Sequence, residues 1–210
     1  MSEAARPANP ASRRTAGTSG SGDPAPDTLV VVYDLVVGED EAAPGSPGSA
    51  GRDPLREPDA LREAQLLDWR VDQPASTAAL LFELRTARQL DEGNTALLVM
   101  RGLRSFDWTA GAAPQGPTAR TVVSGVPGHL DGLFRAEFSF FPDSRLEMLG
   151  QRSEFYVLEA EGIGDVPPDS DVLPDRDVPP GSPDGEAPHV RGLLPSWDSL
   201  CTVLRTSVSP

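Results

Sequence analysis

The sequence predicts an all-β fold, mainly an antiparallel β-sandwich or open barrel with one short helix, flanked by disordered termini. From Phe134 to Phe140, apolar and polar residues alternate strictly, as on a strand with one buried face. Other short apolar runs are separated by Gly- and Pro-rich turns, and one segment alone within this domain has helical spacing. Together these patterns indicate about six to eight strands.

The composition limits how much of the chain forms a core. The 210 residues include 22 Pro and 20 Gly, most of them outside the apolar runs, so about 110 to 125 residues are expected to be ordered. A domain of that size folds without disulfides or metal. The single cysteine, Cys201, excludes an intramolecular disulfide framework.

Charge narrows the class of partner. The formal net charge of −14 opposes binding to nucleic acid, so the expected partner is another protein, possibly basic, or a second copy of this chain. All 18 basic residues are arginine, which fits drift in a GC-rich genome and excludes catalysis by a lysine of this chain. No run approaches the roughly 20 apolar residues that cross a membrane, so we expect a cytoplasmic protein without membrane contact.

Four regions follow from the changes in composition. Residues 1–26 form a disordered N-terminal tail, since they carry no large apolar residue after Met1. A β-rich domain spans residues 27–163. Residues 164–190 are an acidic Pro-rich linker, in which Asp-Val-Pro/Leu-Pro repeats every six residues from Asp165, as in a semi-rigid polyproline II spacer. Residues 191–210 form a short amphipathic C-terminal motif.

The domain begins with a strand, a loop and a helix. Leu29–Val37 is short and rich in valine, which is typical of a buried strand. Residues 38–54 form a mobile acidic loop. Glu57–Trp69 carries Leu61, Ala64 and Leu67 at the spacing of one helix face, with Pro58 and Asp59 as start signals, and this is the predicted short helix.

Strands fill the rest of the domain. Leu80–Leu90 and Thr95–Leu103 flank the turn-forming residues 91–94 and predict a hairpin, although a helix capped by Ser76 also fits the first arm. Thr121–Val123 is a brief strand. Residues 142–144 turn the chain after Phe140, and Glu154–Glu161 alternates as the last strand.

No catalytic, cofactor-binding or metal-binding residue is predicted. His129 lies in a turn-like stretch and His189 in the linker, without an evident nucleophile beside either. The aspartates of the linker lack the central glycine and terminal glutamate of a calcium loop. Alternation assigns Glu83 and Glu137 to the solvent, opposite the apolar face.

Two places are predicted to bind a partner. Phe106 and Trp108 follow the second hairpin arm, either as core plugs or as an exposed binding rim. In the C-terminal motif, Ser196 could cap a helix with one apolar stripe. The residues of the stripe are Leu193, Trp197, Leu200 and Leu204.

So short a helix is marginal alone in water. It therefore packs either on this protein's own sheet or in a groove of another protein. Cys201, beside the stripe, is expected to act as a small apolar residue.

These features favour a non-enzymatic adaptor or assembly protein that binds through its sandwich and its C-terminal motif. One alternative is an acidic inhibitor or immunity-type protein that covers a basic partner. The other is a hydrolase that uses carboxylates alone, which requires a concave pocket with two carboxyl groups about 5 to 10 Å apart.

Overall fold

The computed structural model describes residues 29–38, 52–110, 120–163 and 194–210. The N-terminal tail 1–26, most of loop 38–54 and the linker 164–190 lie outside the described residues. The described residues contain ten strands and one helix. Their bounds are β1 Leu29–Val31, α1 Val32–Val37, β2 Gln65–Asp72, β3 Thr77–Glu83, β4 Thr95–Arg101, β5 Ser105–Ala110, β6 Arg120–Leu130, β7 Leu133–Phe141, β8 Ser144–Gly150, β9 Arg152–Ala160 and β10 Leu200–Ser209.

All ten strands belong to one antiparallel sheet, in the order β1-β10-β9-β4-β3-β2-β6-β7-β8-β5. The predicted all-β class is confirmed. The described chain has more strands than the predicted six to eight, mainly because β2 and β10 lie in segments that were predicted to be helical.

The three central strands, β3, β4 and β9, are buried on both faces. All seven residues of β3 are buried, and so are all residues of β4 except Arg101. A sheet whose faces are both buried needs two covers. The central strands accordingly contribute to two separate hydrophobic clusters, one on each face.

The larger cluster forms because the sheet folds over itself. Phe82 on β3 and Phe138 on β7 are far apart in the strand order, yet their ring centroids are 6.1 Å apart. Likewise β8 contacts β4, and β7 contacts β9. The inward side chains of β6, β7 and β8 thus cover one face of β3, β4 and β9.

The fold-over is made at two narrow connections. β2 pairs with β6 through only two residue pairs, Gln65 with Thr121 and Leu66 with Arg120. On the opposite side, Gly102 at φ 60° turns the chain from β4 into β5, which pairs only with β8. The Leu103 amide donates to the Ser76 carbonyl at 2.7 Å and fixes this turn.

The smaller cluster covers the other face of the central strands. α1 supplies Val32 and Val36, and the C-terminal segment supplies Trp197 and Cys201. β1 pairs with β10 and β10 with β9, so elements from the two ends of the described chain lie side by side.

The prediction of one strand across Leu29–Val37 is wrong beyond Val31. There the backbone leaves the sheet, because the amides of Val32 and Tyr33 donate to the carbonyls of Ser199 and Trp197 at 3.1 and 3.0 Å. The short helix of the fold is therefore α1 and not the segment predicted.

The predicted helix over Glu57–Trp69 is wrong. Turns occupy this segment up to residue 63, and β2 begins at Gln65. Asp59 and Glu63 have φ values of 59° and 72°, which a right-handed helix does not allow. Contacts with β6 hold these turns: the Asp59 carboxylate accepts from the Gly125 amide at 3.0 Å and the Ser124 hydroxyl at 2.9 Å. The same two donors, in that order, lower the pKa of Asp59.

The strands of the predicted hairpin are present as β3 and β4, and the helical alternative for the first arm is wrong. Their connection is residues 84–94, longer than the predicted four-residue turn. The Asn94 side chain fixes the chain to β9 just before β4 begins. Its oxygen accepts from the Ala160 amide at 2.9 Å, and its nitrogen donates to the Ala160 carbonyl at 3.1 Å. The turn at residues 142–144 is as predicted, whereas β9 is followed by β10 and is not the last strand.

Glycine is required at position 93 by space as well as by φ. Gly93 has φ 73°, and a Cβ there would lie 2.7 Å from the Leu158 carbonyl oxygen and 2.8 Å from a Val157 methyl group. Gly132 has a similar φ of 78° with open space around it.

We predict that Gly93→Ala lowers the free energy of unfolding by at least about 2 kcal/mol more than Gly132→Ala, because only the first adds overpacking to backbone strain. Urea denaturation of both variants measures this difference. Equal losses would contradict the close approach of Gly93 to β9.

Candidate ligand-binding cleft

The C-terminal motif is not a helix. Its residues from Leu200 onward form β10, which pairs along β9 from Cys201–Ala160 to Ser209–Ser153. The helical spacing gave a wrong prediction because a helix of two to three turns has little stability of its own. As a strand, the same segment forms backbone hydrogen bonds with the edge of β9 along its whole length. The motif thus packs on its own domain, which is one of the two alternatives that its apolar stripe left open.

The predicted stripe residues do not share a face. Trp197 is 4% exposed in the smaller cluster, and Leu204 packs against the larger one. Leu200 is 45% exposed. Leu193 lies outside the described residues. A bulge between Val203 and Arg205 accounts for the irregular alternation of β10.

Phe106 and Trp108 pack as core plugs, the first of the two roles considered for them. Both rings are half-buried and pack against the larger cluster. Trp108 stacks on Trp69 of β2 with centroids 4.6 Å apart and planes 17° apart, and the Arg120 guanidinium lies 5.1 Å from the Trp108 ring. These stacked rings cover one another, so they leave little aromatic face for a ligand.

The described part of the chain has a cleft of about 1020 Å³ between α1 and the β2–β3 turn. Three of its apolar residues are exposed: Tyr33 by 37%, Val37 by 51% and Val71 by 39%. The lining consists of Tyr33, Val36, Val37, Arg70, Val71, Asp72, Gln73, Pro74, Ala75, Thr77 and Arg101.

Tyr33 and Arg70 line one side of the cleft, and the buried Trp197, which is not part of the lining, stacks on Arg70. The Arg70 guanidinium lies 4.8 Å from the centroid of Trp197 and 5.2 Å from that of Tyr33. Asp68 orients the tryptophan, because its carboxylate accepts from the indole Nε1 at 2.7 Å. We call Tyr33, Arg70 and Trp197 the Arg70 stack. It joins α1, β2 and the C-terminal segment.

The floor is closed by Arg101 at the end of β4. Its Nη1 and Nη2 donate to the Val36 and Leu35 carbonyls, both at 3.1 Å, and hold the C-terminal end of α1. Its Nε donates to Glu154 at 3.0 Å. Burial alone would lower the pKa of Arg101, but its hydrogen bond and charge interaction with Glu154 raise it. Arg101 therefore remains charged and fixes α1 on the sheet.

Glu154 links the floor to the core beneath it. Its other oxygen accepts from the Tyr156 hydroxyl at 2.9 Å. Burial, reinforced by the negative charge of Glu154, raises the pKa of Tyr156 to about 12. The phenol is thus a neutral hydrogen-bond donor, and Glu154 is satisfied on both sides.

The β2–β3 turn forms the opposite rim. The Asp72 carboxylate accepts from the Ala75 amide at 3.1 Å, and the Ser76 amide donates to the Gln73 carbonyl at 3.0 Å. Ser76 has φ 49°. The rim is therefore set by hydrogen bonds within the turn and by the Leu103 contact described above.

The described lining of the cleft includes a single carboxylate, Asp72, and neither histidine nor cysteine. It does not supply the pair of carboxyl groups that the hydrolase alternative requires. His129 is exposed on β6, with its Nε2 3.2 Å from the Pro210 carbonyl. Within the described ranges, no three His, Cys, Asp or Glu side chains are placed to hold a metal ion.

The expectation that Glu83 faces solvent is wrong. Its side chain is fully buried, with the Arg85 Nε 2.6 Å from its Oε1. Alternation misplaced it because β3 has no solvent face. Glu137 is partly exposed on the outer face of β7, where it pairs with Arg145 at 2.6 Å.

No protein-family model matches the chain, and no curated protein matches it. In the described part of the structure, no helix is long and apolar enough to cross a membrane.

Sequence reasoning found Trp197 but missed Tyr33, Asp68 and Arg70. The Asp-x-Arg spacing from 68 to 70 places both side chains on one face of a strand, and this would have been a usable signal if β2 had been recognised. Nothing in the sequence links Tyr33 to Trp197, since 164 positions separate them.

We predict that Trp197→Ala lowers the free energy of unfolding by about 3 to 5 kcal/mol, because it removes a large buried side chain. Leu200→Ala, at an exposed position of the same segment, should cost less than about 1 kcal/mol. Chemical denaturation of the full chain compares them, and equal effects would contradict the placement of Trp197 in the smaller cluster.

The raised pKa of Tyr156 predicts that the free energy of unfolding decreases at alkaline pH. A pKa raised in the folded state means that the stabilisation is complete below the ordinary value of 10.0 and is lost as the pH rises to about 12. At neutral pH, Tyr156→Phe should be less stable than the wild type by about 1 kcal/mol through the lost hydrogen bond.

This difference should shrink across the same pH range, as followed by denaturation at each pH. Tyr33→Phe, which keeps Tyr156, should follow the wild-type profile. A difference that stays constant up to pH 12 would refute the assignment.

Proposed function

We propose that the protein is a non-enzymatic adaptor or assembly protein that binds a segment of another protein, or of a second copy of itself, in the cleft beside α1. The observation that carries this proposal is the exposure of Tyr33, Val37 and Val71 around one concave site. Apolar side chains grouped at a depression favour an interaction site, whereas single exposed apolar residues do not.

The composition of the cleft also favours a protein segment. It combines the ring of Tyr33 and the side chains of Arg70 and Arg101 with exposed apolar side chains, and aromatic and arginine residues are enriched at protein interfaces. The polar groups at its floor and rim are largely satisfied internally, since Arg101 and Asp72 already have partners. Such a site supports binding more readily than catalysis.

The C-terminal segment takes a different part in this proposal from the one expected. Trp197 is buried and supports Arg70, which lines the cleft. We therefore expect binding to depend on the segment because Trp197 holds Arg70 in place. This replaces the idea of a tethered docking helix and keeps the adaptor class.

The acidic-inhibitor alternative requires acidic residues concentrated on one face. The outer face of β7 and β8 instead carries alternating charges in ion pairs, with Arg135 bonded to Glu147 at 2.8 Å and Arg145 to Glu137 at 2.6 Å. The adaptor proposal is the better supported. We also place the protein in the cytoplasm, in keeping with its single cysteine, which is free and buried.

Site-specific photo-crosslinking tests the proposal. A crosslinker at Val37 should capture a defined protein segment, while one at Val126, similarly exposed on the outer face of β6, should not. The captured segment is then purified and its affinity measured.

We predict that Val37→Arg weakens that binding at least about tenfold, corresponding to about 1.4 kcal/mol, because it replaces an exposed apolar side chain of the cleft with a charged one. Val126→Arg should leave the affinity unchanged. Equal crosslinking at both positions, or equal affinities of both variants, would sink the proposal.

A further inference from the structure

The Arg70 guanidinium is the one cation in the cleft whose hydrogen-bonding capacity is unused by the described residues. The other cation there, Arg101, donates to the carbonyls of Leu35 and Val36 and to Glu154. Arg70 is exposed, and its described contacts are the two aromatic rings of the Arg70 stack.

The stack prepares this guanidinium for a ligand. Rings on Tyr33 and Trp197 restrict where the side chain lies, and they attract its charge without occupying its N–H donors. A planar guanidinium fixed in this way offers its donors in a fork that matches a carboxylate in bidentate geometry. Less side-chain entropy is then lost when a ligand binds.

We infer that Arg70 receives one carboxylate of the segment bound in the cleft, while apolar side chains next to that carboxylate contact Val37 and Val71. This inference rests on the proposed function and specifies the chemistry of the partner. The carboxylate is either an Asp or Glu side chain or the C-terminal carboxylate of the partner.

The charges of the cleft and of the whole chain indicate how many negative charges the bound segment carries. Asp72 lines the cleft, and Asp68 lies on the same face of β2 as Arg70 and accepts from Trp197. Arg101 is already paired with Glu154. One unused guanidinium suits a single negative charge, whereas recognition of phosphate motifs uses clusters of arginines. The net charge of −14 repels a strongly acidic segment. The carboxylate is therefore flanked by neutral or basic residues.

Synthetic peptides test this chemistry directly and do not require the partner to be identified. The library has randomised apolar and basic flanks around one fixed central position, in three forms: Glu with an amidated C-terminus, Gln with an amidated C-terminus, and Gln with a free C-terminal carboxylate. Binding to the full chain is measured by fluorescence anisotropy. Comparison with the Val37→Arg variant shows which peptides occupy the cleft, since only these should lose affinity.

The wild-type protein should bind peptides of the Glu form or peptides of the free-carboxylate form. Binding of the Glu form identifies a side-chain carboxylate, and binding of the free-carboxylate form identifies a C-terminal one. Removing the carboxylate of a bound peptide, by Glu→Gln or by amidation of its C-terminus, should weaken binding at least about tenfold, which corresponds to about 1.4 kcal/mol. Arg70→Gln in the protein should weaken it to the same extent. In the Arg70→Gln variant, the peptide substitution should have no further effect. Arg70→Lys, which keeps the charge but loses the fork, should restore only part of the affinity.

Three outcomes overturn the inference in distinguishable ways. If peptides bind in the cleft but keep their affinity after loss of the carboxylate and in the Arg70→Gln variant, the pairing of a carboxylate with Arg70 is wrong and the proposed function stands. If no peptide is sensitive to Val37→Arg, the proposed function itself fails. If a peptide of residues 165–180 of this chain binds as tightly as the best library peptides, the occupant is a segment of this protein, and the assignment to a separate partner is wrong. Because the peptide substitution leaves the protein unchanged, a folding defect in Arg70→Gln does not decide the result.

Discussion

The burial of β3, β4 and β9 on both faces is the constraint from which the rest of the structure follows. Three strands without a solvent face require two independent covers. The sheet provides one by folding β6, β7 and β8 back over itself, and α1 with the C-terminal segment provides the other. Polar groups on these strands must then be satisfied internally, as the hydroxyl of Thr95 is by the Asn94 side chain at 2.8 Å.

Among the described residues, the second cover is incomplete, and the cleft lies where it ends. α1 has only six residues, and it ends where Arg101 holds its last carbonyls. Beyond that point the outer face of β2 and β3 continues to the turn, where Asp72 and Thr77 are a residue pair of the ladder. The cleft is thus the end of a sheet face that no other described element covers. Trp197 completes the smaller cluster and stacks on Arg70, which lines the cleft.

Sequence patterns correctly predicted the strands that have one buried face and one exposed face. Phe134 to Phe140 alternate because β7 has one buried and one exposed face. For β3, burial on both faces removed the alternation, so strand and helix could not be separated cleanly and Glu83 was misplaced. The helix predicted after Glu57 and the one predicted around Trp197 fail for a shared reason. Helical spacing is a local property, whereas pairing with β6 or β9 depends on residues distant in sequence.

The pairing of β1 with β10 also bears on how the chain matures during synthesis. β3, β4 and β9 precede Trp197 and Cys201 in sequence, so the C-terminal part of the cover for one face of these strands leaves the ribosome after them, whereas α1 leaves before them. Until then this part of the face is apolar and exposed, which is the kind of surface that promotes aggregation in folding intermediates. A ribosome that stalls before residue 197 releases a chain with most of the described strands but with this cover unfinished. Continuous translation through β10, and chaperone protection of that face, thereby become conditions for a correctly folded protein.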